Sequence, residues 1–430
     1  MYQNLYSSIH YRNLVIAQHV FFKILGLSPW TVSFPEKLPK NRNGRIKFCK
    51  FSYLGSFYNI LLIILAISLS VFTFYQRYTA LPLADALVTH SRMITFQLLS
   101  LLVMSLIFII YTVRQKRMII VLNKIYNVDL ILQKYTFIKN CNSSKNDSVI
   151  INLIFILHLI ISVFFLSVGL FLPSYFETLL RVAPWILFCW VIEQYTILLD
   201  MVRKRLKFIN SYIMKLGPAE VDLEKSRPMF FIKPSILYER ILHEVINIKH
   251  TYKDLCEICE DIACFYGESV LVVIMFNGSG VIVLSYFILL SFYGQIELPL
   301  IMCFNESVFI LWTVFQLIAL TTYVSLILKE VSSTHSKKFC VVTSKNFVMV
   351  HEKVEKELVN FLRELTFRKI KFTACEIISI DRSFLASVSR WYNCNLSNYS
   401  HTIPYEHAFT IIHDLKSIKK LLLIFSRSLN

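Results

Sequence analysis

Residues 149–171 read VIINLIFILHLIISVFFLSVGLF, a run with no acidic or basic side chain and a single histidine, His158. As a helix rising ~1.5 Å per residue, such a run crosses the ~30 Å hydrocarbon core of a bilayer. Working outward, five further runs of the same kind occur at Leu54–Tyr75, Met93–Val113, Leu179–Leu199, Ser269–Phe292 and Ser307–Leu328. All are expected to be helical, because backbone polar groups in lipid must be satisfied within the segment. The reading is an all-α membrane protein with six recognisable transmembrane helices.

Composition agrees. Of 430 residues, 55% are hydrophobic, 14% aromatic and only 17% charged. Mean hydropathy is +0.55. The net charge of +17 would suggest a polyanion partner in a soluble chain. No nucleic-acid motif accompanies it, so nucleic acid is not an expected partner. The ten cysteines do not form a disulfide framework. Cys256 and Cys259 make a C-x-x-C near Cys264, but a second pair or histidines at zinc spacing are lacking, so no metal or other cofactor is expected. Leu14 to Leu27 is interrupted by Gln18, His19 and Lys23, which reads as an amphipathic cytoplasmic segment rather than a cleavable signal.

The basic residues lie in alternate gaps. Segments 1–53, 114–148, 200–268 and 329–372 carry eight, seven, eleven and ten Lys or Arg; 76–92 carries two, and 172–178 and 293–306 carry none. A charge at mid-bilayer costs about 2.5–3.5 kcal/mol, and basic loops stay in the cytosol. The N-terminus is therefore expected inside. The chain divides into a cytoplasmic segment (1–53) and a six-helix transmembrane region (54–328) with long basic cytoplasmic loops at 114–148 and 200–268. A cytoplasmic amphipathic helix with the start of a further helix follows (329–389), then a polar tail (390–430). Asn305-Glu306-Ser307 becomes a sequon on the outer side.

The cytoplasmic parts carry helical patterning. Ile241 to Cys264 reads as a downward extension of the fifth span, part of a helical anchor region. In Phe347 to Leu365, Val354, Leu358, Phe361 and Leu365 recur at steps of four or three, with Val350 preceding them and Glu352, Lys353, Glu355, Lys356 and Glu357 off the stripe. That stripe packs either on the protein's own loop helices or between subunits.

The next stretch, Phe372-Thr-Ala-Cys-Glu-Ile-Ile-Ser-Ile-Asp-Arg-Ser-Phe-Leu385, resembles the C-terminal signature of insect gustatory receptors. There an amphipathic Val-x-x-Glu-Leu-x-x-Phe helix, matched by Val354, Glu357, Leu358 and Phe361, leads to a block matched by Phe372, Ala374, Asp381 and Leu385. Glu376 stands where glycine is common. His19 to Pro29 is similar to the family's lead-in, so the resemblance runs over about residues 15–389. It implies a plasma-membrane chemoreceptor for a small-molecule tastant. Such receptors are ligand-gated cation channels assembled as homo- or hetero-tetramers, with a seventh helix of each subunit lining the pore.

The family's closing Thr-Tyr…Gln-Phe motif does not follow. After Ser389 the sequence is polar and broken by Pro404, and Ala408 to Phe425 carries His413, Asp414, Lys416, Lys419 and Lys420. Thr322-Tyr323 with VSLIL mimics the motif inside the sixth span. The expected pore helix is absent from the sequence as written, which points to a read-through intron, misassembled exon or alternative transcript, testable by full-length cDNA. A non-conducting isoform is the corresponding functional alternative.

No catalytic constellation is visible, so an enzyme is not expected. His158 alone on an apolar span reads as a packing residue. Glu193 is the best-placed intramembrane charge, facing the bundle interior or snorkelling toward Arg203 or Lys204. For a tastant pocket, Gln97, Trp185, Trp190, Tyr286, Trp312 and Gln316 combine aromatic walls with sparse hydrogen-bonding groups. Trp185 and Trp312 are alternatively interface anchors. Asn277-Gly278-Ser279-Gly280 is a place for close helix packing or a kink. A G-protein-coupled receptor is the competing class; it requires the N-terminus outside, and neither Asp-Arg-Tyr after the third span nor Asn-Pro-x-x-Tyr in the last is present. An N-terminal epitope tag should therefore stain only permeabilised cells; staining of intact cells would remove the channel reading.

Overall fold

The computed structural model describes residues 9–33, 48–79, 87–133, 144–170, 175–216, 234–292 and 300–343, with residues 356, 357, 359–361, 363, 364, 370, 372–374, 378–380, 386, 387 and 390. Its helices are α1 Ile9–Ile24, α2 Tyr53–Thr79, α3 Leu87–Val113, α4 Gln115–Gln133, α5 Ser144–Leu170, α6 Tyr175–Leu216, α7 Pro234–Phe292 and α8 Leu300–Thr343. Two short antiparallel hairpins accompany them, β1 Thr31–Val32 with β2 Cys49–Lys50, and β3 Thr373–Ala374 with β4 Ile378–Ser379. Among the described residues five helices are long and apolar enough to cross a membrane, or six if the bent α3–α4 pair forms one span.

The helices outrun the apolar runs that mark them. α7 has 59 residues, which at ~1.5 Å each makes a rod of ~88 Å, far longer than a bilayer core. Its first half carries the Ile241–Cys264 pattern, so the downward extension of the fifth span is one unbroken helix with it. The stretch 114–148 is more ordered than a loop: the chain bends by 59° between Val113 and Gln115 and continues as α4. Arg114 sits at that bend, its guanidinium donating to the Cys264 carbonyl at 2.9 Å and pairing with Glu268. Further along, Lys124 meets Asp261 at 2.9 Å, and Arg205 Nε donates to Asp129 at 2.6 Å. The basic gaps thus supply ion pairs that bind α4 to α7 and α6.

α6 is the central helix. It is buried along most of its span, whereas α2 and α5 present long apolar sides outward, including Leu54, Phe57, Leu61, Ile64 and Phe72 on α2 and Leu153, Ile156, Ile160 and Val163 on α5. Exposed aliphatic and aromatic sides of this kind suit lipid tails. Pro184 lies inside α6 without ending it.

The segment after α1 is not a surface amphipath. Gly26 takes φ +77, a conformation that favours glycine, and turns the chain inward. Irregular backbone inside a bundle needs hydrogen-bond partners, and helix side chains provide them. Tyr58 Oη donates to Ile24 O at 2.7 Å, Asn59 Nδ2 to Gly26 O at 2.9 Å, Gln194 Nε2 to Leu27 O at 3.1 Å, and Gln115 Nε2 to Pro29 O at 2.8 Å. Phe21 and Phe22 then reach Trp190 of α6.

At the other end of the sequence, Phe361 is buried with its ring 5.8 Å from that of Tyr252 on α7, and Lys249 Nζ lies 2.8 Å from Glu364. The apolar stripe therefore packs at Phe361 on the protein's own helix. Val354, Leu358 and Leu365 lie outside the described residues. The Phe372 block starts with the β3–β4 pair: Phe372 and Ile380 are both buried, and Ile380 N donates to Phe372 O at 2.9 Å. β-Branched Thr373, Ile378 and Ile380 favour that extended pairing over helix. Asp381, Leu385 and the polar tail from residue 391 onward lie outside the described residues.

The Asn277–Gly280 stretch serves close packing within α7. A Cβ on Gly280 would collide with Cη2 of Trp185. Gly280→Ala should lower the melting temperature of detergent-purified protein by the equivalent of ~1–3 kcal/mol of overpacking, and adding Trp185→Phe should recover most of it. An unchanged melt in Gly280→Ala would show that α6 and α7 do not meet there.

Candidate functional site

Three helices bring polar side chains together inside the apolar bundle. α5 supplies His158, Ser162 and Phe165 at steps of four and three, which share one helix face. α6 supplies Trp190 and Glu193, three apart, and α8 supplies Trp312 and Gln316, four apart. His158 is the centre. It is fully buried, its Nδ1 lies 3.2 Å from the Ile154 carbonyl, and its Nε2 meets the side-chain amide of Gln316. A carbonyl only accepts, so the imidazole proton belongs on Nδ1; Nε2 is then the acceptor and Gln316 Nε2 the donor.

Neighbouring bonds complete the junction. Trp190 Nε1 donates to Ser162 Oγ at 3.1 Å, and Ser162 Oγ donates to the His158 carbonyl at 2.8 Å. Glu193 Oε2 lies 3.7 Å from His158 Nδ1. Rings wall the cluster: the imidazole centroid is 5.6 Å from Trp190 and 5.4 Å from Trp312, and Phe165 stacks on Trp312 at 5.4 Å. These spacings suit aromatic pairs.

The junction leaves polar atoms over. Trp312 Nε1, Gln316 Oε1 and Glu193 Oε1 are buried and have no hydrogen-bond partner among the described residues. Unpaired buried polar atoms are costly and uncommon. One free donor and two free acceptors among aromatic rings have the chemistry of a small-molecule site.

Of the six residues proposed from sequence, Trp190, Trp312 and Gln316 meet around His158. Trp185 joins through Phe309 at 4.6 Å, itself 6.2 Å from Trp312. Trp185 and Trp312 are both buried, which corrects the interface-anchor reading. Gln97 is buried on α3 with Nε2 unpartnered among the described residues. The side chain of Tyr286 lies outside the described residues.

His158, read from the sequence as a packing residue, lies at the centre of this cluster, and Glu193, read as the best-placed intramembrane charge, lies beside it. Glu193 faces the interior and does not snorkel; Arg203 and Lys204 pair instead with Asp200, Lys204 at 2.6 Å. The signal was a set of polar residues, one in each of three spans, but spacing along the chain does not encode which spans touch. Elsewhere, Asn305 of the sequon is buried at the start of α8, where an oligosaccharide has no room. Cys256 and Cys259 are buried in α7, and no metal-ligating cluster occurs among the described residues. Tyr323 of the mimic motif lies within α8 under the Arg203 guanidinium, 5.6 Å away.

Residues 17–389 match the 7tm chemosensory receptor family. The fold is similar to the insect olfactory receptor OR5 from Machilis hrabei, with a TM-score of 0.55 at 11% identity, covering 92% of this chain and 99% of that one. It is similar also to OR5 in complex with eugenol, with a TM-score of 0.55 at 12% identity over 90% and 97% of the two chains. No curated protein matches the sequence.

Gln316→Leu should lower the melt of purified protein by the equivalent of ~1–3 kcal/mol, because His158 Nε2 loses its donor. Leu311→Ala, at an outward-facing position of the same helix, should stay within ~0.5 kcal/mol. Equal melts for the two would mean that the His158 junction contributes nothing to the bundle.

Proposed function

This chain belongs to the 7tm chemosensory receptor family, and we propose that it is a subunit of a ligand-gated cation channel that senses small chemical cues, with taste as the sensory modality. The family is one of receptors and not of enzymes. The observation that carries the proposal is the buried junction of His158, Trp190, Glu193, Trp312 and Gln316, whose unpaired atoms fit a bound small molecule better than an empty core. The OR5 complex with eugenol, a small aromatic phenol, supports a ligand of that size in this fold.

In this reading Trp190 and Trp312 are ligand walls and Gln316 is a hydrogen-bonding group, with Trp185 behind them. Gln97 and Tyr286 are kept as ligand contacts on the sequence pattern alone. A ligand shifts gating only by its surplus affinity for the open arrangement. A site that joins α5, α6 and α8 supports such a surplus, since any relative movement of these helices changes it. The signature residues Phe372, Ala374, Asp381 and Leu385 belong to the connection between the anchor region and the pore. Val354, Leu358, Phe361 and Leu365 are the stripe that holds this connection to the anchor helices. Homo- or hetero-tetramers in the plasma membrane, with the N-terminus in the cytoplasm, follow from the family resemblance and the positive-inside charge distribution.

Expression of the full chain in oocytes, alone and with other receptor subunits, tests the proposal by voltage clamp. A small-molecule panel should evoke a cation current, and Trp312→Ala should raise the half-maximal concentration of its best agonist about tenfold or more, the loss of a buried aromatic wall. A response carried only through G proteins, with no agonist-evoked current, would contradict it.

A further inference from the structure

Away from the His158 junction, one edge of the bundle gathers positive charge. We propose that this rim, through Lys50 and Lys116 and the apolar side chains between them, binds the headgroups of anionic phospholipids in the adjoining leaflet.

The edge is defined by α2 and α3. Asn59 Nδ2 donates to Thr112 Oγ1 at 3.1 Å, so the start of α2 lies beside the end of α3. Lys50 comes just before the α2 span begins at Tyr53, and Lys116 just after the α3 stretch ends at Val113. The connection into α2 is fastened along α4. Cys49 N donates to Asn123 Oδ1 at 2.9 Å, Asn123 Nδ2 donates to Cys49 O at 3.1 Å, and Ser56 Oγ donates to Gln115 Oε1 at 2.9 Å. Lys116 shares a helix face with Asn123, about two turns away. The two lysines therefore flank one strip.

That strip is of a single sign. Residues 9–33, 48–58 and 111–128, which build this end, contain no Asp or Glu. The other basic residues near the bend turn toward α7: Arg114 pairs with Glu268, Arg117 donates to Cys264 Sγ at 2.8 Å, and Lys124 meets Asp261 at 2.9 Å. Lys50 and Lys116 are exposed and have no ion-pair partner among the described residues. The first turn of α2 holds no acid either, so the positive end of its dipole adds to the same field.

The side chains between the lysines identify the occupant. Tyr53 is 84% exposed, Leu54 and Val113 are each 74% exposed, and Phe51 packs edge-on against Tyr53 at 5.0 Å. A soluble phosphate would leave these groups in water. A phospholipid meets both parts, because its phosphate accepts from the lysines while its acyl chains cover the aromatic and aliphatic surface. A zwitterionic lipid carries its own cation, which opposes the attraction. In the proposed orientation the leaflet is the cytoplasmic one, the side on which anionic lipid is concentrated.

Purified full-length protein, stripped of lipid, is titrated with phosphatidylserine and with phosphatidylcholine of the same chains, counting bound lipid by native mass spectrometry. Phosphatidylserine should bind about tenfold more tightly or better. Lys50→Gln with Lys116→Gln should lose most of that preference, and Lys253→Gln with Lys356→Gln, at two other exposed positions, should keep it. No headgroup preference in the wild type, a preference that survives the first pair, or an equal loss in both pairs overturns the proposal. Phosphatidylserine with a photoreactive headgroup places the site without any substitution. It should label residues 50–54 or 113–120 of the wild-type chain, and labelling confined to other residues overturns the placement. Glycerophosphoserine, which lacks acyl chains, should compete at least about tenfold less well than the lipid. Equal competition would make the occupant a soluble anion and overturn the lipid assignment.

Discussion

Lipid offers no hydrogen bonds, and the architecture follows from that single deficiency. Each backbone group that enters the bilayer must find its partner in the protein, so the apolar runs become helices. The one described stretch of irregular backbone inside the bundle, around Gly26 to Pro29, is held by side chains from Asn59, Gln115 and Gln194. The same deficiency makes each buried polar side chain conspicuous. Gln194 illustrates the economy: its Nε2 donates to Leu27 O and its Oε1 accepts from Tyr111 at 3.0 Å, tying α1, α3 and α6 together.

Against that background the His158 junction stands out for joining three helices through side-chain hydrogen bonds. Elsewhere the buried hydroxyls mostly turn back onto their own helix, as Ser105 does to Leu101 and Thr313 to Phe309. Around His158 the bonds run between α5, α6 and α8, and three polar atoms remain open. Incomplete satisfaction at the meeting point of three helices is a cost to folding. On the proposed reading, a ligand that supplies the missing partner would recover that cost, and helix positions and ligand occupancy would be coupled through the same side chains.

Much of this was legible in the sequence. Apolar runs gave the spans because insertion energetics act residue by residue, and the stripe around Phe361 marked an amphipathic helix that packs on α7. The indoles Trp190 and Trp312 stood out as candidates because large aromatics with a polar handle are few, and the structure brings both against His158. Three things were hidden. The inward turn at Gly26 depends on side chains distant in sequence. The β3–β4 pairing after Phe372 was hidden because residues 375–377 hold no Gly, Pro, Asn or Asp to announce a turn. The importance of His158 depends on which spans touch, a tertiary fact that a lone imidazole in an apolar run does not disclose.

If ligand, helices and polar junction form one unit, density maps will reveal it. Cryo-electron microscopy of the full chain in nanodiscs, with and without an agonist identified by current recording, should show agonist density bounded by His158, Trp190, Trp312 and Gln316. α5, α6 and α8 should shift relative to one another between the two maps. Agonist density elsewhere, for instance beside Gln97 with the His158 junction unchanged, would contradict the account.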